Sequence, residues 1–323
     1  MDKISKNIEM TGKRTREYDQ WRAKLPLEFV SIPFLDYARI AQKSASDWPI
    51  FNLLASIYPS QTESNAQPTN DDLRSAFHRH KEDLMKFNLL SGQIGAFHSY
   101  MALMNRSREL FLVQPFPRKD KQTNQRLQPT ALDAAQFVQR ILKQTWKPDH
   151  PELAENPQDN PFKSYSAWHR QAMPSSALVM DIDYVEIRSK KAVAVIEAIR
   201  SNTADLCYGL FSFLSRGFAQ ASVILMVAED LAVGAYLVTY PRTMNEIEVL
   251  QMDRSLIPAI DAIDRDRQQI ANREMRSGKD RKTAQGIATR TLYNTQGKAL
   301  MEWLLPHRKH LSITDYKKWL DSL

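Results

Sequence analysis

The fold is decided by residues 180–200, which read MDIDYVEIRSKKAVAVIEAIR. Two runs rich in β-branched residues flank the polar sequence Arg-Ser-Lys-Lys at 188–191, and this arrangement predicts a β-hairpin. Side chains alternate between the two faces of a strand, so Asp181 and Asp183 share one face of the first strand. Glu197 on the second strand is expected opposite them. Three carboxylates at one end of a hairpin can hold Mg²⁺, because this hard cation prefers carboxylate oxygens.

An alternative interpretation is that these carboxylates are solvated strand ends or partners in ion pairs. The second strand favours a functional site, because Ala-Val-Ala-Val-Ile at 192–196 is a continuous apolar run. Such runs are typical of strands that are covered on both faces. Glu197 follows this run directly, and an unpaired charge is costly to bury. The sequence therefore favours a functional role for Glu197.

The same stretch resembles the core of the PD-(D/E)XK, or restriction-endonuclease-like, superfamily of nucleases. In that core an Asp on one strand is followed by a turn and by an apolar strand that ends in Glu-x-Lys. Asp-Ile-Asp-Tyr at 181–184 and Ala-Val-Ile-Glu at 194–197 are similar to these motifs, and Trp-His-Arg at 168–170 is similar to the segment that precedes them. The resemblance covers about residues 160–250 and implies an α/β core, a mixed sheet flanked by helices.

The resemblance also implies an activity and its residues. A helix is expected over 217–228 with Gln220 facing the site, followed by a core strand over 232–240. Asp181, Asp183 and Glu197 would bind Mg²⁺ or Mn²⁺, and Gln220 would orient the site. The implied reaction is metal-dependent hydrolysis of phosphodiester bonds in DNA.

One position departs from the family pattern. The lysine of Glu-x-Lys is replaced by Ile199, which shares a strand face with Glu197. The next residue, Arg200, is turned to the opposite face by ideal pleating, and an arginine supplies charge but hardly proton transfer. Basic groups that a functional site would recruit instead are Arg200, Lys190, Lys191 and Arg216. The alternative is a nuclease-fold protein that is impaired in catalysis and serves in nucleic-acid binding or assembly.

Composition narrows the class of protein and its partners. The 323 residues contain 43% hydrophobic and 25% charged residues, which is typical of a globular chain. A net charge of +7 and a pI near 9.3 favour a polyanionic partner, of which nucleic acid is the commonest. The single cysteine, Cys207, excludes an internal disulfide and is expected in the interior. We expect a cytoplasmic location and no membrane partner, because the sequence shows no signal peptide and no bilayer-length apolar run.

The pattern along the chain predicts three regions. Apolar residues at helical spacing from 69 to 112 and from 131 to 146 predict a mainly helical N-terminal region, residues 1–150. The α/β core is expected over residues 151–252, with a further strand at 246–251, and a basic helical C-terminal region over residues 253–323. Ser312 and Asp315 form the pattern of a helix N-cap. The two helical regions are the candidates for docking a protein partner.

A basic segment lies at residues 265–282, where seven basic residues face three acidic ones. Beside a nuclease-like core this composition predicts an element that contacts phosphates. The alternative is a solvated helix face with internal ion pairs. The candidate nucleic-acid-binding residues are Arg265, Arg267, Arg273, Arg276, Lys279, Arg281 and Lys282.

Overall fold

The computed structural model of the chain describes residues 16–26, 29–30, 35–40, 49–57, 68–79, 81–94, 98–104, 110–114, 131–133, 136, 177–203, 205–215 and 218–323. Two compact units divide the chain: Met1–Phe29 with Asp183–Leu323, and Val30–Ile182. The first unit therefore joins the hairpin to the C-terminal residues that were expected as a separate region. The border expected at residue 150 lies outside the described residues.

The elements are numbered in chain order. The chain begins with α1 (Arg16–Arg22), β1 (Phe29–Val30), β2 (Leu35–Ile40), β3 (Pro49–Ile57), α2 (Asn70–Arg79), α3 (Lys81–Ile94) and β4 (His98–Met104). It continues with β5 (Leu110–Val113), β6 (Ala131–Asp133), β7 (Ala177–Asp181), β8 (Tyr184–Arg188), β9 (Lys191–Arg200), α4 (Leu206–Leu214), α5 (Phe218–Leu231) and β10 (Gly234–Tyr240). The last elements are β11 (Glu246–Met252), α6 (Ile257–Arg276), α7 (Arg281–Leu292), α8 (Lys298–Trp303), β12 (Arg308–Ser312) and α9 (Ile313–Ser322).

The predicted hairpin is present as β8 and β9. Ser189 and Lys190 connect the strands with φ angles of 49° and 65°. Two consecutive residues of positive φ are the geometry of the two-residue turns that match the twist of antiparallel strands. Tyr184 lies opposite Ile196 in the resulting ladder.

The sheet of the first unit has the order β1-β8-β9-β10-β11-β12. Strand β9 pairs with β10 in parallel, whereas the pairs β8–β9, β10–β11 and β11–β12 are antiparallel. A parallel pair needs a crossover, and helices α4 and α5 supply it. The predicted helix at 217–228 is confirmed as α5, and the strands predicted at 232–240 and 246–251 are confirmed as β10 and β11. The chain therefore contains the expected mixed sheet flanked by helices.

The first strand of the hairpin begins at Tyr184, later than predicted, since it was expected to include Asp181 and Asp183. Asp181 ends β7, which pairs with β2 in the sheet of the second unit, where Asp181 lies opposite Asp36. Only at Tyr184 does the chain enter the sheet of the first unit. Apolar alternation runs through both strands, so the sequence pattern predicts one long strand. The pattern does not indicate that the chain passes from one sheet to the other at Ile182 and Asp183.

The second unit corrects the expectation of a mainly helical N-terminal region. Its sheet has the order β6-β5-β4-β3-β2-β7, with β3 and β4 in parallel. Helices α2 and α3 confirm the first part of the helical region predicted from 69 to 112, but residues 98–104 and 110–113 form strands. Residues 131–133, expected to begin a helix, form β6. A short apolar run fits both the helical and the strand period. In these segments, pairing with neighbouring strands selects the strand conformation.

The two faces of β9 contact different helices. Ala194, Ile196 and Ala198 belong to a buried cluster that also contains Tyr18 of α1 and Tyr316 of α9. The other face, which carries Glu197, lies against the crossover helices α4 and α5. Helices therefore cover both faces of the strand, as its continuous apolar run predicts.

The hydroxyls of Tyr18 and Tyr316 share a hydrogen bond of 2.6 Å inside this cluster. Burial raises the pKa of both phenols above the ordinary value of 10.0. The folded state thus retains both protons while the unfolded state loses them above pH 10, so stability is complete below pH 10 and falls above it. Each phenol is expected to contribute a loss of about 1.4 kcal/mol per pH unit.

The variant Tyr316→Phe tests this expectation. Its free energy of unfolding is measured by denaturant titration between pH 8 and 11.5. Above pH 10 it should fall less steeply than that of the wild type, by about 1.4 kcal/mol per pH unit, the contribution of one proton. At pH 8 the variant should be the less stable protein, because Tyr18 loses its hydroxyl partner. Equal alkaline slopes in the two proteins would contradict the assignment.

Candidate functional site

Glu197 lies near the end of β9, on the strand pair that the crossover helices cover. Its Cα is paired with that of Leu237 in β10, and the residue is 7% exposed. The side-chain amide of Gln220, at the third position of α5, donates a hydrogen bond from Nε2 to Glu197 Oε1. The crossover that makes β9 and β10 parallel thus also brings Gln220 onto this carboxylate.

Asp183 lies at the same end of the hairpin. It immediately precedes β8, and continuing the β8–β9 register beyond Tyr184 places it opposite Glu197. Its Oδ2 accepts a hydrogen bond of 2.9 Å from the backbone N–H of Ala198. The carboxylate thus takes the place of a strand carbonyl where the ladder ends. Asp183 and Glu197 therefore occupy neighbouring positions on adjacent strands.

This donor set suits a hard divalent cation. An ionised carboxylate has about four acceptor positions, so the hydrogen bonds from Ala198 and Gln220 are compatible with a metal ligand role. Mg²⁺ commonly binds through one or two carboxylates and keeps several waters. Within the described residues, His, Cys, Asp and Glu side chains form no group of three placed to hold a metal. Asp181, the expected third ligand, belongs to β7 of the second unit.

Further charges surround this end of the sheet. Burial raises the pKa of the Tyr240 phenol above 10.0, and the negative charges of Asp19, Asp183 and Glu17 raise it further. Arg200 acts in the opposite direction on the same group. The acidic residues of α1 thus act on the same phenol as Asp183 at the end of β10.

Arg200 is placed away from the role expected for it. It lies on the face of β9 opposite Glu197, and its Nη1 donates to both carboxylate oxygens of Glu17, at 3.0 and 3.2 Å. The two side chains are 22% and 24% exposed, so the ion pair is largely shielded from water. Arg200 therefore attaches α1 to the sheet. The pleat and its carboxylate partner both direct it away from Glu197, beside which the catalytic role was predicted.

The other candidates to replace the lysine of Glu-x-Lys are Lys190, Lys191 and Arg216, and the structure describes the first two. Ile199 is partly buried on the Glu197 face. Lys190 and Lys191 lie at the turn, and Glu197 is six positions along the strand from Lys191, a distance of roughly 20 Å. A lysine side chain does not bridge that distance, so the turn lysines are excluded as partners of Glu197. Arg216 lies outside the described residues.

The basic segment 265–282 spans the end of α6, a turn and the start of α7. Arg267 is only 7% exposed, and its Nε donates to the carbonyl of Ser215 at 2.6 Å. Arg267 therefore lies in the interior and not on the surface, where a contact with nucleic acid was expected. Arg265 is exposed but paired with Asp261 at 3.1 Å. The five remaining residues of the set are exposed: Arg273, Arg276, Lys279, Arg281 and Lys282.

Glu17 is a residue of this region that sequence reasoning missed. It lies 183 positions before Arg200, and it also approaches Arg242 Nε at 3.9 Å. Spacing along the chain carries no signal for such a contact. The one sequence clue is the mixed charge of the short helix around it, Arg-Glu-Tyr-Asp-Gln-Trp-Arg at 16–22.

A second polar cluster joins β11, β12 and α4. Glu248 is 2% exposed and accepts hydrogen bonds from Arg308 Nε at 2.6 Å. Arg308 Nη2 also donates to the sulfur of Cys207 at 2.9 Å. Burial raises the pKa of this thiol, although Arg308 opposes the shift. The thiol is therefore the stable form at neutral pH, and Cys207 lacks the thiolate character of a nucleophile.

Comparison of the chain with protein-family models, curated proteins and solved structures gives no match. Over the part of the chain that the structure describes, no helix combines the length and the apolar character needed to cross a bilayer.

Proposed function

We propose that residues 183–252 form a nuclease-like core of the restriction-endonuclease-like type, which binds Mg²⁺ or Mn²⁺ and hydrolyses phosphodiester bonds in DNA. The observation that carries this proposal is the buried carboxylate of Glu197, held by Gln220 beside Asp183 at one end of the sheet. The net charge of +7 suits such a polyanionic substrate, and the setting that we propose is the cytoplasm.

The residues at this end of the sheet have distinct roles in the proposal. Asp183 and Glu197 would hold the cation, which when bound lowers the pKa of a water and polarises the phosphate. Gln220 fixes the orientation of the Glu197 carboxylate through its amide N–H. The backbone N–H of Ala198 does the same for Asp183. Both ligands are thus positioned before a substrate arrives, which reduces the cost of organising the site.

A second candidate function is nucleic-acid binding without efficient cleavage. Ile199 occupies the position of the family lysine, and Arg200 is bound to Glu17 on the other face of the strand. General acid–base groups typically contribute about 10²–10⁴-fold to a rate, so a site without one retains substrate and metal binding but little turnover. This candidate shares the proposed metal and DNA sites, and differs only in the rate of the chemical step.

Isothermal titration with Mn²⁺ tests the metal site. The wild type is expected to bind the ion, and Glu197→Gln, which retains the shape of the side chain without its charge, should weaken binding at least about tenfold. The matched control is Glu302→Gln, which removes an exposed carboxylate from α8. Equal affinity in the wild type and Glu197→Gln would remove the proposed site. So would an equal loss in the control, since the effect would then follow net charge alone.

A further inference from the structure

The ends of α6 and α7 form a closed turn, residues 273–282, that we call the hairpin tip. Helix α6 stops where Gly278 adopts a φ of 92°, a left-handed conformation that glycine tolerates. The N–H of Lys279 donates to the carbonyl of Glu274 at 3.2 Å. Asp280 then caps α7 by accepting a hydrogen bond of 3.0 Å from the N–H of Thr283. Hydrogen bonds on both sides of the turn give the tip a defined shape.

The hairpin tip carries a concentration of unpaired positive charge. All five of its basic side chains are exposed, and none of them has a hydrogen bond or ion pair among the described residues. Four exposed cations elsewhere in this unit have carboxylate partners: Arg254 pairs with Glu229, Arg265 with Asp261, Lys317 with Asp321 and Lys318 with Asp315. The carboxylate of Asp280 in the tip is engaged in capping α7. Five basic and two acidic residues thus give this rigid element a net positive charge, which suits a polyanion.

The tip also lacks aromatic side chains on which bases stack. From Asp253 to Leu292 the sequence contains no Phe, Tyr, Trp or His. Proteins that bind single strands combine cations with aromatic side chains on which exposed bases stack. In duplex DNA the bases are stacked on each other and the phosphates face outward, so cations alone suffice for affinity without sequence preference.

We propose that the hairpin tip binds the phosphate backbone of double-stranded DNA. The inference rests on the proposed function for the identity of the polymer and adds its form: the protein holds duplex in preference to single strands. The tip contributes affinity and no chemistry, because it carries five cations and its only carboxylate outside the helices is used as a cap.

Fluorescence anisotropy in EDTA tests the proposal, since neither metal binding nor cleavage then contributes. The protein should bind a duplex of arbitrary sequence more tightly than either of its strands. The variant R276Q/K279Q/R281Q/K282Q should weaken duplex binding at least about tenfold at physiological salt. The slope of log affinity against log salt should become shallower by about three to four, since each phosphate contact accounts for about 0.9.

The matched control R254Q/R265Q/K317Q/K318Q removes the same number of charges from exposed residues that already have carboxylate partners. It should retain most of the wild-type affinity and slope. Three results would overturn the proposal: an unchanged slope in the tip variant, an equal loss in the control, or a preference for single strands that Trp303→Ala removes, Trp303 being 50% exposed on α8.

The variant Glu197→Gln separates this proposal from the proposed function. In EDTA it should bind duplex at least as tightly as the wild type, because it keeps every cation of the tip and loses a carboxylate that repels phosphates. Loss of metal binding with retained duplex affinity therefore supports both sites. If the wild type binds duplex through the tip but binds no metal, that result would contradict the metal site only.

Discussion

Replacing Glu186 with alanine is expected to lower the free energy of unfolding by about 3–5 kcal/mol, the typical cost of leaving a buried charge without its partner. Glu186 of β8 and Arg22 of α1 are both fully buried. Arg22 Nε donates to Glu186 Oε1 at 3.0 Å, and its Nη2 donates to Oε2. Arg188 lies 3.3 Å from the same carboxylate. Removing the carboxylate would leave the Arg22 guanidinium in the interior with its main acceptor gone.

The control is Asp321→Ala, which breaks an exposed pair with Lys317 one helical turn away. Such pairs contribute about 0.2–0.5 kcal/mol, so the two variants should differ about tenfold in cost. A double variant, Arg22→Met with Glu186→Leu, should recover much of the loss, because apolar pairs of similar volume replace buried ion pairs well. Denaturant titration measures all three. A cost for Glu186→Ala no larger than for Asp321→Ala would show that the pair is hydrated in solution.

Local patterns predicted the elements that local physics determines. The Arg-Ser-Lys-Lys sequence predicted a turn, and Ser189 and Lys190 adopt the positive φ angles of a two-residue hairpin. Ser312 accepts a hydrogen bond of 3.1 Å from the N–H of Asp315, the N-cap that its spacing predicted. In both cases the deciding contacts lie within four residues, so the sequence contains them directly.

Features that depend on distant segments were not predictable in this way. The break between Asp181 and Tyr184 depends on which strand each half pairs with, and alternation of side chains is the same in either sheet. An arginine is usually a surface residue. Arg267 nevertheless lies in the interior, where it donates a hydrogen bond to the carbonyl of Ser215, 52 positions away. Sequence pattern gives the face a residue is on and leaves open what covers that face.

The candidate site combines both kinds of information. Gln220 was expected to face the acidic strand, and its amide does contact Glu197. The convergence of three carboxylates was expected from the pattern 181, 183 and 197, but Asp181 joins another sheet. The first unit by itself contributes two carboxylates, Asp183 and Glu197, on adjacent strands at one end of its sheet. The main chemical question is therefore which basic side chain acts beside these two carboxylates. A substitution at position 199 tests it.

Replacing Ile199 with lysine is expected to raise Mn²⁺-dependent cleavage of duplex DNA by about 10²–10⁴-fold, the usual contribution of a positioned acid–base group. The side chain at 199 lies on the same face as Glu197, two residues along the strand, and it is partly exposed. A lysine there has access to water and stands beside the carboxylate. Its charge would stabilise the developing negative charge on the phosphate, and its amine can accept a proton when its pKa is lowered by the metal.

Two variants control this experiment, which is read as the rate of strand cleavage on a gel. Ile199→Met has similar volume and no charge, so it should cleave no faster than the wild type. Ile199→Lys combined with Glu197→Gln should lose the gain, because the lysine acts only with the metal ligand in place. Rapid cleavage by the wild type would instead indicate a recruited cation that offsets the charge on the phosphate, and Arg216→Ala should then abolish it. If fast cleavage survives alanine at Arg216, Arg200, Lys190 and Lys191 alike, the chemistry lies at a site other than Glu197.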